Sequence, residues 1–233
     1  MADKGFWVLE GSAHIGSGGD MRTGMVRHRV RIRFCKQGDL RWIGHLDLMR
    51  CLERVFRRAG LPLAFSEGFH PKPRISFPLP LALGIAGSHE LLEVELTEPL
   101  SASEIRSRLE PYCLPGLCFS AVDVLPSGAA KARPRSVEYR IAVPPALQPG
   151  TSERIAALMS SERCLVTRPG RPGQLDIRPQ LITLELAGGQ LQMRLGVGAG
   201  PGVGPRDVLS ALGLELEQLR QHGAVLERTA VEL

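Results

Sequence analysis

Basic and apolar residues alternate along His28-Arg29-Val30-Arg31-Ile32-Arg33-Phe34. This period of two predicts a strand with Val30, Ile32 and Phe34 turned inward and Arg29, Arg31 and Arg33 turned outward. From Gly44 to Ala59 the spacing changes: Leu48, Met49, Leu52, Val55, Phe56 and Ala59 recur at three and four residues, with Arg50, Arg54, Arg57 and Arg58 on the opposite side. An amphipathic helix follows from that pattern, closed by Gly60-Leu61-Pro62. Leu63–Ser66 reads as a short strand. Pro71, Pro73, Pro78 and Pro80 exclude a regular helix between Glu67 and Leu83. His89–Thr97 reads as a strand, and Ser101–Tyr112 as a helix opened by Ser101 with Glu104 three residues on. Leu117–Leu125 completes a β-α-β-β-α-β order, which is that of the ferredoxin-like unit.

A fainter copy follows. Val137–Val143 and Cys164–Arg168 read as strands around a helix at Thr151–Ser160, and Gly188-Gly189 separates strands Leu181–Leu186 and Leu191–Val197 as a hairpin turn. Pro205–Leu212 reads as a helix and Ala224–Glu232 as a closing strand. The expected architecture is α+β, with tandem ferredoxin-like halves and antiparallel sheets: residues 25–126 form the first domain, 127–136 a linker and 137–233 the second. Residues 1–24 lack either period and are expected to be a disordered leader.

Composition adds little until charge is mapped. With 43% hydrophobic and 23% charged residues the chain is of ordinary globular type. Between Met21 and Arg74, however, thirteen Lys/Arg stand against four Asp/Glu, which puts +9 in that stretch and, from a total of +5, leaves −4 elsewhere. Such concentration is the footprint of a polyanion-binding surface, and RNA is the expected partner. The five cysteines, Cys35, Cys51, Cys113, Cys118 and Cys164, form no C-x-x-C pair, so free thiols are expected, with no metal and no cofactor. No apolar run is long enough for a membrane span, and a cytoplasmic location is expected.

Gly44 at the helix N-cap puts His45 at N1 and Asp47 at N3, where a carboxylate favours the exposed backbone amides and can orient Arg50 one turn later. His45 and Asp47 are the weak candidates for acid–base chemistry; no Ser, Cys or second carboxylate stands at a spacing that completes a catalytic set. Phe69, His70, Lys72 and Arg74 lie on the proline-stiffened segment. Rings for stacking and cations for phosphates are the mixture that binds single-stranded RNA; packing of Phe69, Ile75 and Phe77 into a core is the competing reading. The run GVGAGPGVG at Gly196–Gly204 fits neither phosphate-loop spacing.

Leu40-Arg41-Trp42-Ile43-Gly44-His45-Leu46-Asp47-Leu48-Met49-Arg50 and Phe65-Ser66-Glu67-Gly68-Phe69-His70-Pro71-Lys72-Pro73-Arg74-Ile75-Ser76-Phe77 carry a resemblance to the radical SAM-associated (radical SAM-linked) family, domains of unknown function beside or fused to a radical SAM protein. Asp176-Ile177-Arg178-Pro179 and Arg206-Asp207-Val208-Leu209 agree in pattern. Gly44, His70, Lys72 and Arg74 depart from the family's usual Ser, Asn, His and Lys. The resemblance implies a partner radical SAM protein and supplies no reaction. Three functions are compatible: an accessory presenting Arg29, Arg31, Arg33, Lys36, Arg41, Arg50, Lys72 and Arg74 to tRNA or rRNA; an RNA-processing or RNA-modifying enzyme; or a protein-interaction scaffold.

Overall fold

The computed structural model describes residues 27–198 and 200–233; the expected leader at 1–24 lies outside them. The architecture is mixed α+β, a mostly antiparallel sheet with five α-helices among the described residues. The strands are β1 (His28–Lys36), β2 (Ile75–Ser76), β3 (Ala86–Leu96), β4 (Leu117–Val124), β5 (Ser136–Ala142), β6 (Leu165–Thr167), β7 (Gln174–Asp176), β8 (Leu181–Ala187), β9 (Gln190–Gly196) and β10 (Glu227–Glu232). The helices are α1 (His45–Arg58), α2 (Ala102–Leu109), α3 (Thr151–Ser160), α4 (Pro205–Ala211) and α5 (Leu216–Gln221).

One sheet runs through the described chain in the order β4-β1-β3-β10-β5-β9-β8, with β2 also on β3. β10 pairs antiparallel with β5 and parallel with the start of β3, Arg228 lying opposite Tyr139 and Gly87. Strands β6 and β7 form a separate two-stranded sheet. The expected strand at Leu63–Ser66 is reduced to single bridges, Leu63 with Leu96 and Phe65 with Pro73, because Pro62 and Pro73 each lack the donor a continuous ladder needs.

The helices cover one face. Leu48, Leu52, Val55 and Phe56 of α1 pack with Ile105 and Leu109 of α2 against Val30, Ile32, Phe34, Leu92 and Val94. A second core joins Ile155, Leu158, Val208, Leu209 and Leu219 to Val137, Tyr139, Ile141, Leu191 and Met193. In α2, Ser101 Oγ accepts from Glu104 N at 3.2 Å while the Glu104 carboxylate accepts from Ser101 N at 2.8 Å, the expected capping box.

The opposite face of β1 is closed by charge pairing. Arg31 donates to Glu93 at 2.8 and 3.3 Å, and Arg29 to Glu95 at 3.5 Å and Ala129 O at 2.7 Å. Ala132 N also donates to Glu93, at 3.1 Å, so the segment after β4 is tied down across this face. Arg33 donates to Val231 O at 3.3 Å.

Lys36 requires a correction. Expected at the RNA surface, it is fully buried. The register of β1 shifts on β4 between Arg33 and Phe34 and on β3 between Phe34 and Lys36. Phe34, Cys35 and Lys36 are consequently buried in succession, because bulges end the simple alternation. Lys36 Nζ donates to Ile43 O at 2.9 Å and Arg41 O at 3.5 Å, fastening the 3-10 turn Gly38–Trp42 that leads into α1. Burial lowers its pKa, and Arg228 nearby adds to that while Glu90 opposes it.

Candidate nucleic-acid interface

Helix α1 buries its apolar stripe and leaves Arg50, Arg54, Arg57 and Arg58 exposed on one side. Gly44 is the N-cap, and Asp47 pairs with Arg50 at 3.4 Å, the expected one-turn contact. Arg57 is held by Glu53 at 2.9 Å, and its guanidinium carbon lies 5.2 Å from the centre of the Phe65 ring. That contact joins the end of α1 to the proline-rich segment.

The segment closes on itself at its base. Ser66 N donates to Lys72 O at 2.8 Å, Lys72 N to Ser66 Oγ at 3.0 Å, and Arg74 N to Ala64 O at 2.8 Å. Arg74 Nε donates to Phe65 O at 3.2 Å and stands 3.8 Å from Glu95, so this cation braces the loop as much as it faces outward. Glu67, Gly68, Phe69, His70 and Pro71 form the exposed tip, where Gly68 takes a φ of +115°, a conformation that favours glycine. Phe69 is fully exposed and does not pack into the core. Ile75 and Phe77, by contrast, pack against the first core. Leaving a phenylalanine in water forgoes about 1.5–3 kcal/mol of burial.

The two motif stretches meet through rings. His45 lies edge-on to Phe77 with centroids 4.9 Å apart, and Phe77 lies edge-on to Phe34 at 6.0 Å. This gives His45 a packing role at the start of α1. The other motifs also serve structure: Asp176 Oδ1 accepts from Cys164 N at 2.9 Å and Arg178 N at 3.1 Å, and Arg178 donates to Met159 O at 2.8 Å, Ser161 O at 3.1 Å and Leu181 O at 3.1 Å. Asp207 accepts from Gly204 N at 2.7 Å and from Arg168 at 2.6 and 2.8 Å, so the start of α4 is capped by the protein's own carboxylate.

Of the residues singled out in the sequence, Arg50, Phe69, His70 and Lys72 are exposed, and Arg74 is half-buried beside them. Arg29, Arg31 and Arg33 lie on the paired sheet face and Lys36 in the interior. Arg41, half-buried, donates to Gly38 O at 2.7 Å and flanks Trp42. Trp42 and its neighbour Arg220 were not among the expected binding residues; an aromatic next to arginine at the head of a helix was the available signal. Among the described residues no three His, Cys, Asp or Glu side chains gather as a metal site, and no helix is long and apolar enough to cross a membrane.

The buried Cys35 thiol is pushed up to about 11, first by burial and then by the adjoining Cys118 side chain. It therefore stays protonated at pH 8, and an aromatic disulfide reagent is expected to label exposed Cys113 and Cys118 at least tenfold faster than Cys35. Peptide mapping of the modified thiols checks the order; equal labelling in the folded protein contradicts it.

No curated protein matches the chain. A solved structure described as an unknown protein from Galdieria sulphuraria covers 88% of this chain and 98% of its own at 11% identity, with a TM-score of 0.26. The sequence profile described as "Uncharacterized protein conserved in bacteria (DUF2344)" matches residues 29–205. That span takes in β1 from Arg29 on, both motif stretches, the sheet-covering segment after β4 and the start of α4, and so the chain belongs to the DUF2344 family.

Proposed function

We propose that this protein binds structured RNA, tRNA or rRNA, through the exposed side of α1 and the Ser66–Lys72 loop, as an accessory to a partner radical SAM modification enzyme. The observation that carries the RNA reading is Phe69: a fully exposed ring on a loop closed by Ser66 and Lys72, with His70 and Lys72 at its sides. Arg57 over Phe65 connects that loop to the cations of α1. Rings on a stiff loop offer stacking surfaces, and cations along a helix follow phosphates. The outer sheet face is a poorer platform, since Arg29 and Arg31 already have carboxylate partners. Packing of His45 on Phe77 speaks for an accessory over an enzyme.

The finer reading of the fold, two ferredoxin-like halves, has support in strand order. β4-β1-β3-β2 and β10-β5-β9-β8 repeat one sequence of neighbours, antiparallel at each step. The radical SAM partner rests on the motif resemblance alone.

Replacing Arg50, Phe69 and Lys72 together by alanine is expected to weaken binding of a labelled tRNA or rRNA fragment across sequences. The slope of log affinity against log salt becomes shallower by about 0.7–0.9 for each phosphate that the variant no longer neutralises. Unchanged affinity and slope in the folded triple variant would sink the proposal. Anaerobic affinity purification from cells, with identification of bound protein and RNA, tests the partner separately: recovery of RNA without a radical SAM protein removes the accessory role and leaves RNA binding standing.

A further inference from the structure

Trp42 closes the turn before α1 and remains 49% exposed. Two guanidinium carbons lie near its ring centre, Arg41 at 4.9 Å and Arg220 of α5 at 5.3 Å. Each arginine is held by backbone, Arg41 to Gly38 O at 2.7 Å and Arg220 to Gly84 O at 3.2 Å. Gly84 has a φ of +77°, and a Cβ there would stand 2.9 Å from Trp42 Cζ3 and 2.7 Å from Arg220 Nη2. The ring and the guanidinium are therefore seated on bare backbone. Lys36 fastens the same turn from the interior through Arg41 O and Ile43 O.

Two clefts meet at Arg220 and Glu217. One, of about 250 Å³, contains Arg41, Trp42 and Gly84; the other, of about 530 Å³, contains Arg168, Arg206 and Glu215. The trough thus passes from an aromatic ring flanked by guanidinium planes to exposed Arg206, with Glu217 paired to Arg220 at 3.6 Å along the way.

We infer that this trough is a subsite for one unpaired ribonucleotide, its base stacked on the Trp42–Arg220 wall and its phosphate directed to Arg206. A flat π surface beside guanidinium planes suits any nucleobase. Glu215 and Glu217 can accept hydrogen bonds from ribose hydroxyls or base amino groups, which act as donors. An acidic side chain has no donor to offer Glu215 and Glu217 and no flat π face for Trp42, whereas a nucleotide has both. The inference rests on the RNA reading and extends it. Trp42 stands just before the first turn of α1, and Phe65, at the base of the loop that carries Phe69, contacts its last turn through Arg57, so the 14-residue helix sets the subsite roughly 21 Å from that loop at 1.5 Å per residue. Arg50, Arg54 and Arg57 lie between them.

The test uses the full chain with Trp7→Phe, which leaves Trp42 as the sole tryptophan. The probe is a labelled oligoadenylate of about twelve nucleotides, within the roughly 4–16 that single-strand-binding modules occupy. Binding is expected to quench Trp42 fluorescence. Trp42→Leu, which keeps an apolar side chain on Gly84, and Arg220→Ala are each expected to weaken binding by roughly five- to a hundredfold, with the salt slope of Trp42→Leu unchanged because a neutral stack releases no counterions. Circular dichroism establishes that each variant is folded. Full affinity in both variants with unmoved fluorescence overturns the subsite while leaving the α1 and loop surface intact. Absence of oligonucleotide and structured-RNA binding overturns both readings. Quenching by oligoglutamate but not by oligoadenylate also overturns the subsite, in favour of a peptide.

Discussion

Glu90→Gln and Arg228→Met are each expected to lower the free energy of unfolding by about 3–5 kcal/mol, the cost of leaving one buried charge without its partner. The two side chains retain only 3% and 2% of their exposure. Arg228 Nε donates to Glu90 Oε1 at 2.8 Å and Nη2 donates to Oε2; the same guanidinium donates to Leu79 O at 2.8 Å and Pro80 O at 3.5 Å. Glu90 belongs to β3 and Arg228 to β10, so the pair fixes the junction of those two strands and holds the proline segment above it. Removing Glu90 also takes away the negative charge nearest buried Lys36, whose pKa its own burial already lowers. Glu90→Gln should therefore be the costlier change. Joint replacement, Glu90→Leu with Arg228→Met, is expected to recover much of the loss, because desolvation of the ions offsets most of their attraction. Urea denaturation of the three variants measures this. Single variants within about 1 kcal/mol of the parent would contradict the view that the pair is sealed from water.

Gly116→Ala is expected to cost about 2–5 kcal/mol, combining left-handed strain with overpacking. Gly116 has a φ of +82°, and a Cβ there would run into Gln37 O and lie 3.0 Å from Gln37 C, both backbone atoms. Gln37 cannot readily withdraw, since its N–H donates to Gly116 O at 2.8 Å. Gly38 supplies the internal comparison: its φ is +54° but nothing stands within 4 Å of a built Cβ. Gly38→Ala is expected to cost only about 1–2 kcal/mol, from the backbone conformation alone. Equal losses in thermal melts of the two variants would show that the clash at Gly116 relaxes. Because Gln37 precedes the turn that carries Arg41 and Trp42, Gly116→Ala should also reduce RNA affinity.

Local periodicity made much of the scaffold legible. Thr151–Ser160 was expected and found as α3, the Ser101–Glu104 capping box formed, and Gly188-Gly189 joins β8 to β9 with positive φ at both glycines. These features depend on near neighbours in the chain. The site was harder to read because its charges find partners across the sheet: Arg29 meets Glu95 and Arg31 meets Glu93 at separations of 66 and 62 residues. Alternation told correctly that the arginines face outward, but not that two carboxylates on the adjacent strand do the same. Lys36 escaped because a bulge has no signature in its sequence, and its acceptors are carbonyls of a turn still to come. Phe69 and Phe77 look alike in composition, eight residues apart; only closure of the loop between Ser66 and Lys72 sends one into water and the other into the core.

The placement of β10 bears on the order in which the molecule can be completed during synthesis. It lies in the interior of the sheet but is the strand translated last of the ten. Until Glu227–Glu232 have emerged, β5 keeps an unpaired edge, β3 an open stretch at Ala86 and Gly87, and Glu90 waits inside a forming core for its arginine. The helices and hairpins that precede β10 can form by then, yet the sheet cannot close. An exposed edge invites pairing with a neighbouring nascent chain, so β3 and β5 are open to misassembly until β10 pairs, and its arrival closes both at once.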